Sequence, residues 1–287
     1  MFVDGTVWHR GLTCKLLQLV PDRHMVYMIM EMVSNRSFTL TTGNSKTTRL
    51  RHLKNGVPQG SVLAPLLFNI YLSDLPTTIS IKYANADGLA IMHADGDWQA
   101  VEGVLTKEMA TVGEYLQTWK LKLSTTKMVW AAFHLINKEG KRELKAIYKN
   151  KSLPFCSEPT YFGVMLDRSL TCRRHLESLR KKLTSHVALL RQLAGCSWGS
   201  GATTLRIATL ALVHSTAEYC APVWCRSAHT SLINPAINDT LRIVTGCLRP
   251  TPADNLPTLV GIQPAELRQS GATLSLARRA MEAGHLL

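Results

Sequence analysis

The amino-acid sequence predicts an α+β fold, with strands and helices mixed up to about Asp167 and helices alone beyond it. Apolar residues make up 46% of the 287 residues, which is enough to bury a sizeable core. Alternating apolar residues predict strands in the first part, whereas apolar residues at helical spacing predominate in the second. We therefore expect one domain at 1–166 and another at 167–287.

The elements of the first domain are predicted in order along the chain. Phe2-Val3-Asp4 is typical of a strand end, and 9–33 is typical of helices. The methionine-rich run within 9–33 would fill a core: Met25, Met28, Met30 and Met32. Residues 37–53 predict a hairpin around Gly43-Asn44. A loop from Asn55, an apolar helix at 64–72, strands flanking Asp87-Gly88, an amphipathic helix at 98–121, and strands at 128–135 and 161–166 follow.

A strongly basic helix opens the second domain. Its apolar residues recur at helical spacing: Leu176, Leu179, Leu183, Val187 and Leu190. Its basic residues would face solvent: Arg173, Arg174, Arg180, Lys181, Lys182 and Arg191. The chain has a formal net charge of +13, and basic side chains that neutralise phosphates supply sequence-independent affinity. A generally basic soluble surface is the alternative, but the clustering favours a nucleic-acid partner.

Composition also bears on the class of protein. Seven scattered cysteines without a CxxC motif indicate reduced thiols rather than disulfides. No apolar stretch is long enough to cross a bilayer, and the first residues lack the pattern of a signal peptide. We therefore expect an intracellular protein without a membrane contact, in either the nucleus or the cytoplasm.

Two aromatic residues and four possible metal ligands lie close together near residue 220. The possible ligands have an irregular spacing that does not favour zinc: His214, Cys220, Cys225 and His229. Tyr219 and Trp224 would pack in the core rather than stack on bases.

The most specific motif is NGVPQGSVLAPLLFNIYLSDL at 55–75. Its loop contains residues suited to contact a ligand with backbone and amide groups: Gly56, Pro58, Gln59, Gly60 and Ser61. After it comes Asn85-Ala86-Asp87-Gly88, within KYANADGLAI. Asp-Gly is a strong hairpin signal because glycine accepts the positive φ of a type I′ turn, so we expect Gly88 in the turn.

These two motifs resemble those of reverse transcriptases from non-LTR (LINE-type, jockey-like) retrotransposons, where GxPQGSxLxPxLFxIY precedes a YADD hairpin. The resemblance implies a right-hand polymerase palm, with an antiparallel sheet and packed helices, and partial fingers at 1–166. It implies a mainly helical thumb and C-terminal extension at 167–287. The implied activity is RNA-directed DNA polymerisation on an RNA template and DNA primer, with dNTPs and two Mg²⁺ ions held by carboxylates.

By this resemblance, Asp4 and Asp87 would be the catalytic residues and the Mg²⁺ ligands. Asp4 leads through Gly5 directly to Thr6-Val7-Trp8, as if the piece with the family's sugar-gate aromatic were deleted. Asp4 thus matches either the first or the second aspartate of the family motif. At the hairpin, Asn85 replaces the tyrosine and Gly88 replaces the second aspartate. The sequence is a truncated and degenerate version of the family pattern.

The resemblance assigns further roles along the chain. The loop 56–61 would position nucleotide and template, and Lys127 would approach the triphosphate, although a lysine after a helix is commonly a solvated cap. Tyr161, Phe162 and Gly163 would form the primer grip. Segments 217–224 and 241–264 resemble the region after the polymerase core in jockey-like elements.

Three functions stay open on the sequence. The chain is an RNA-directed DNA polymerase, a non-catalytic nucleic-acid-binding remnant, or a decayed fragment without a selected role. A site that lacks one carboxylate and its sugar gate should hold two metal ions poorly, so we expect primer extension at or near background.

Overall fold

The computed structural model describes residues 3–4, 7–41, 49–58, 60–85, 88–124, 126–134, 143, 145, 147–149, 151–195 and 199–282. The chain divides into two compact units. The first comprises the described residues within Met1–Trp130 and Glu143–Cys156, and the second those within Ala131–Arg142 and Ser157–Leu287. This α+β arrangement agrees with the predicted fold class at the level of secondary structure.

The strands of the first unit are short. They are β1 (Val3–Asp4), β2 (Arg36–Phe38), β3 (Arg51–Leu53), β4 (Ile81–Asn85), β5 (Gly88–Met92), β6 (Lys122–Leu123), β7 (Ile147–Tyr148) and β8 (Lys151–Ser152). All pairs among them are antiparallel in the described residues: β1 with β6, β2 with β3, β4 with β5 and β7 with β8. The β2–β3 pair confirms the hairpin predicted at 37–53, whose tip at 42–48 lies outside the described residues.

The helices of the first unit match the predicted pattern closely. They are α1 (His9–Leu19), α2 (Arg23–Val33), α3 (Leu63–Tyr71) and α4 (Trp98–Thr118). Their buried faces meet in one apolar core around Leu12, Leu16, Leu67, Tyr71 and Val112. Leu67 and Tyr71 of α3 are buried in this core, so the helix that follows the motif loop is held in place.

Two predictions for the segment 1–166 were wrong. Of the methionine run, Met25, Met28 and Met32 are more than half exposed, because α2 turns Val26 and Val33 to the core instead. The described part of 128–135 is not a strand, although Met128, Trp130 and Ala132 are buried alternately. Only Trp130 pairs there, through one isolated bridge to Phe155.

The second unit begins with a hairpin and continues as helices. The hairpin consists of β9 (Thr160–Tyr161) and β10 (Val164–Met165). The helices are α5 (Arg173–Leu193), α6 (Ala202–Ala208), α7 (Ser215–Glu218), α8 (Ala221–Trp224), α9 (Asn234–Thr245), α10 (Leu256–Val260) and α11 (Ala265–Met281). A π-helical turn (Thr209–His214) joins α6 to α7, and 3-10 turns lie at Thr230–Ile233 and Ala253–Asn255.

The core of the second unit forms around the apolar stripe of α5. All five residues predicted for this stripe are at least nine-tenths buried: Leu176, Leu179, Leu183, Val187 and Leu190. They pack with residues of α8 and α9, including the fully buried Trp224. The helical periodicity therefore identified this core correctly.

Candidate nucleic-acid and polymerase site

The backbone of Asp4 lies beside the segment that leads to Lys127. In the β1–β6 pair, Asp4 is opposite Lys122 and Val3 is opposite Leu123. Such pairs hold the two Cα atoms about 5 Å apart. After β6 the chain turns, with Lys127 N–H donating to Ser124 O at 3.2 Å, and Lys127 is exposed. Two residues assigned to the same chemistry thus belong to neighbouring stretches of backbone.

The PQGS loop is attached to the chain that follows Asp4. Gly56 N–H donates to Val7 O at 2.7 Å, and His9 Nε2 contacts Gly56 O at 2.9 Å. The same carbonyl accepts a bond from Arg36 Nη2, while Arg36 Nε donates to Val33 O at 2.8 Å. Three residues therefore fix the backbone of Gly56: Val7, His9 and Arg36. His9 and Arg36 were not predicted from the sequence, since no local pattern reveals contacts over such separations.

The remaining loop residues show why the motif requires its residue types. Gly56 and Gly60 have φ values of 90° and 84°, a region that favours glycine. Ser61 N–H donates to Pro58 O at 3.1 Å, and the Ser61 hydroxyl accepts a long bond of 3.3 Å from Leu63 N–H at the start of α3. Gln59 lies outside the described residues.

The β4–β5 hairpin differs from its prediction in register. Asn85 pairs with Gly88, so Gly88 is the first residue of β5 rather than a turn residue. Gly88 is not among the residues with positive φ, which corrects the expected use of glycine there. A Cβ atom at Gly88 would lie 3.3 Å from Asn85 O. Asp87, the assigned catalytic carboxylate, lies outside the described residues.

A buried ion pair supports this hairpin. Lys82 on β4 lies 2.9 Å from the Glu108 carboxylate on α4, and both side chains are less than a tenth exposed. Lys82 Nζ also donates to Pro76 O at 2.9 Å. Burial acts to raise the pKa of Glu108, but hydrogen bonds from Thr78 and Lys82 outweigh it and lower the pKa.

A buried lysine joins α1 to the motif helix and to α4. Lys15 is only 2% exposed and donates to Tyr71 O, to the Asp74 carboxylate and, at 2.8 Å, to the Tyr115 hydroxyl. Its Nζ atom lies 3.9 Å from the centre of the Trp119 ring. Burial lowers the pKa of Lys15, although Asp74 opposes the shift. No sequence motif indicates this lysine cluster, because its residues come from α1, α3, α4 and the turns that follow α3 and α4.

The predicted primer-grip residues form a hairpin in the second unit. Val164 pairs with Tyr161, and the turn contains Phe162 and Gly163 with φ values of 47° and 74°. The Phe162 carbonyl accepts a bond of 2.8 Å from the Tyr219 hydroxyl. Tyr219 is 53% exposed, so the prediction that it packs in the core was wrong, whereas Trp224 is fully buried as predicted.

The six basic residues assigned to α5 fall into two groups. Arg173 pairs with Glu177 at 3.0 Å, Arg174 with Glu158 at 3.1 Å, and Arg191 with Asp239 at 3.1 Å. Arg180, Lys181 and Lys182 are exposed and pair with no carboxylate in the described part of the chain. The unpaired positive charge of α5 is therefore concentrated in its middle turn.

The residues weighed for zinc have other contacts. His214 Nδ1 lies 3.1 Å from Oε1 of Glu218. Arg268 donates one hydrogen bond to each of the two carboxylate oxygens of Glu218. Burial acts to raise the pKa of Glu218, but His214 and Arg268 outweigh it and bring the pKa to about 2. The Cys225 Sγ atom lies 3.4 Å from the Thr273 hydroxyl.

The described residues contain no group of three or more His, Cys, Asp or Glu side chains arranged to hold a metal ion. None of their helices is long and apolar enough to cross a membrane.

Comparison with known proteins adds a consistent set of similarities. Residues 5–166 match the profile of the family described as "Reverse transcriptase (RNA-dependent DNA polymerase)". The chain is 26% identical to the probable RNA-directed DNA polymerase from transposon BS of Drosophila melanogaster, over 84% of this chain and 28% of that protein. It is 30% identical to the RNA-directed DNA polymerase from mobile element jockey of Drosophila funebris, over 65% of this chain and 21% of that protein.

A third relative comes from a wasp. The Pol polyprotein from type-1 retrotransposable element R1 4 of Nasonia vitripennis is 31% identical over 60% of this chain and 44% of its own length. The chain thus spans less than half of each of these relatives. No solved structure matches it.

Proposed function

The chain belongs to the reverse transcriptase family, and from this premise we propose that it is a non-LTR retrotransposon polymerase core that binds primer and template but extends them at or near background. Residues 1–166 would be the palm with remnants of fingers. Residues 167–287 would be the thumb and C-terminal extension. The curated relatives named for mobile elements support this assignment.

The roles proposed for single residues follow the family's reaction. Asp4 and Asp87 would bind Mg²⁺, which activates the primer hydroxyl and holds the triphosphate in two-metal polymerases. The loop 56–61 would position nucleotide and template, and Lys127 would contact the triphosphate. Tyr161, Phe162 and Gly163 would hold the primer end. With glycine at position 88, the hairpin supplies one carboxylate fewer than the family pattern, so the donor set does not fit a full two-ion site.

The observation that carries nucleic-acid binding is the geometry of α5. Its apolar side is buried in the core of the second unit, which fixes the helix on its folded base. Its unpaired residues Arg180, Lys181 and Lys182 remain exposed. A rigid helix with adjacent free cations suits the regularly spaced phosphates of a duplex.

Salt-dependent binding of an RNA–DNA hybrid tests this proposal. We expect Arg180→Ala with Lys181→Ala to weaken binding of all sequences about equally and to lower the salt slope by roughly 1 to 2 units. Arg173→Ala with Arg174→Ala removes the same charge from residues already paired with carboxylates, so its effect should be smaller. An unchanged slope in the folded Arg180/Lys181 variant would contradict the proposal.

Primer extension on a poly-A template with Mg²⁺ tests the catalytic part. We expect extension at or near background, while robust extension that depends on Asp87 would overturn this part. Binding with weak Mg²⁺-dependent extension above a no-protein control would identify the impaired polymerase, and binding with no detectable extension would identify the non-catalytic alternative. Loss of both hybrid binding and primer extension would identify a decayed fragment.

A further inference from the structure

A surface cavity lies within the second unit, between the β9–β10 hairpin, α5 and α7. It has a volume of about 470 Å³, within the range of small-molecule sites. The residues that matter for its chemistry are His175, Ser178, Lys182, Thr216 and Tyr219. Of these groups only Lys182 is already assigned to nucleic-acid binding, and the primer-grip turn contributes Gly163 to the lining.

His175 lines this cavity, and its ring is largely buried. The residue is 7% exposed, and its Nδ1 atom accepts a long bond of 3.4 Å from Met165 N–H. Burial lowers the pKa of His175, which favours the neutral ring. With Nδ1 as acceptor, the proton of that ring lies on Nε2. The Nε2 atom is buried and has no hydrogen-bond partner in the described part of the chain.

A free cation lies on the same side of α5. Ser178 and Lys182 follow His175 by three and seven residues, which places all three on one helix face. Lys182 is exposed and has no carboxylate partner in the ranges that the structure describes. A buried N–H, an ammonium group and the Ser178 and Thr216 hydroxyls together suit a ligand with several negatively charged acceptor oxygens.

The rim of the cavity carries an oriented aromatic ring. Tyr219 is half-exposed, and its hydroxyl is held by Phe162 O at 2.8 Å. A Cβ atom at Gly163 would lie 3.2 Å from the Tyr219 ring, so the glycine allows the turn to pack against it. A ring fixed beside a cationic cavity is a stacking surface for a base.

We propose that this cavity binds one phosphate group of a nucleic-acid strand through His175 and Lys182, with the adjoining base stacked on Tyr219. The inference rests on the proposed function and extends it, because the binding groups come from α5 and from Tyr219, directly after α7, rather than from the primer-grip turn. A free nucleotide offers the same phosphate chemistry, so the test separates the two sources.

Single methylphosphonate linkages, placed in turn along the primer of an RNA–DNA hybrid, locate the contact. A methylphosphonate removes the negative charge of one phosphate. In the wild-type chain, we expect it to lower the affinity for the hybrid by about tenfold at one position of the primer. Lys182→Ala should abolish the effect of that linkage. Lys181→Ala is the matched control, since it removes the same charge from the adjacent residue, which does not line the cavity. The linkage effect should persist in Lys181→Ala.

Variants of His175 and Tyr219 add two independent readouts. His175→Gln retains an N–H donor and should keep the linkage effect, whereas His175→Leu should lose it while remaining folded by circular dichroism. Tyr219→Leu should reduce the quenching of 2-aminopurine placed next to that linkage, and Tyr219→Phe should preserve it.

Other outcomes would overturn the inference. A linkage effect that persists in Lys182→Ala, or that is absent from the wild-type chain, excludes a strand phosphate at this cavity while leaving the proposed function intact if the hybrid still binds. Binding of dAMP or inorganic phosphate that is lost in Lys182→Ala, without a linkage effect, would assign the cavity to a free phosphate compound. Failure of the wild-type chain to bind any hybrid would overturn the proposed function as well.

Discussion

Gly88 and Asn85 form the closing pair of the β4–β5 hairpin. By the resemblance to the family pattern, the two positions would hold an aspartate and a tyrosine, and in this chain they pair as glycine and asparagine. Since Gly88 has no positive φ, glycine is not required there by the backbone. The substitution therefore changes the available carboxylates rather than the hairpin.

Restoring the carboxylate at this position is a direct test. We expect Gly88→Asp to fold and to change the free energy of unfolding by no more than about 1 kcal/mol, because only Asn85 O lies close to the new Cβ atom. Extension should remain low, since the piece missing after Asp4 is not restored. Urea denaturation and Mg²⁺-dependent extension measure these effects. A large gain in extension that the uncharged Gly88→Asn control lacks would identify Gly88 as the main defect.

Lys15 should contribute to the free energy of unfolding through its buried hydrogen bonds. Lys15→Met removes its bonds to Tyr71 O, Asp74 and Tyr115, and we expect a loss of about 2 kcal/mol or more in unfolding free energy. Lys120→Met is the control, since Lys120 is exposed and lies over the Trp8 ring at 3.9 Å, an interaction of about 0.5–1 kcal/mol. Equal losses in thermal and urea denaturation would refute this role for Lys15.

At the level of elements, hydrophobic periodicity predicted the positions of helices better than it predicted which single side chains are buried and which long-range contacts they make. The apolar stripe of α5 was found because its four leucines and one valine repeat at helical spacing and face one core. Met25 and Tyr219 were misplaced because composition does not specify which side of a helix meets a neighbour. The contacts of His9 and Arg36 with the Gly56 carbonyl were not predicted for a related reason, since both residues are far from the loop in sequence.

Glu218 joins α7 to α11 through Arg268 and should make stability depend on pH. Its folded pKa of about 2 lies below the usual 4.5, so its contribution is present above pH 4.5 and is lost as pH falls toward 2. This contribution amounts to about 3 kcal/mol at 1.4 kcal/mol per pKa unit. Glu218→Gln should lack it.

Urea unfolding of the wild type and Glu218→Gln between neutral and acid pH measures that difference. We expect the difference in unfolding free energy between the two proteins to narrow by about 3 kcal/mol as Glu218 becomes protonated. Glu177→Gln alters an exposed carboxylate that pairs with Arg173, and should show a smaller change. A gap that stays constant with pH would contradict the proposed contribution of Glu218.

At the level of the whole molecule, the two units have separate apolar cores. Leu12 in the first and Leu183 in the second are both fully buried. Leu12→Ala and Leu183→Ala should each lower the unfolding free energy of their own unit by about 3 kcal/mol. Amide hydrogen exchange distinguishes the units. Equal acceleration throughout the chain in both variants would contradict separate stabilisation.

The closing pair of the β4–β5 hairpin also bears on how such a chain changes over generations. All five paired positions of the hairpin, from Asn85–Gly88 to Ile81–Met92, form with glycine at position 88. A substitution at position 88 should therefore cost little stability, whereas changes at buried residues such as Tyr71 and Leu183 should cost more. In a lineage released from selection for polymerisation, mutation would remove the chemistry first and the fold much later.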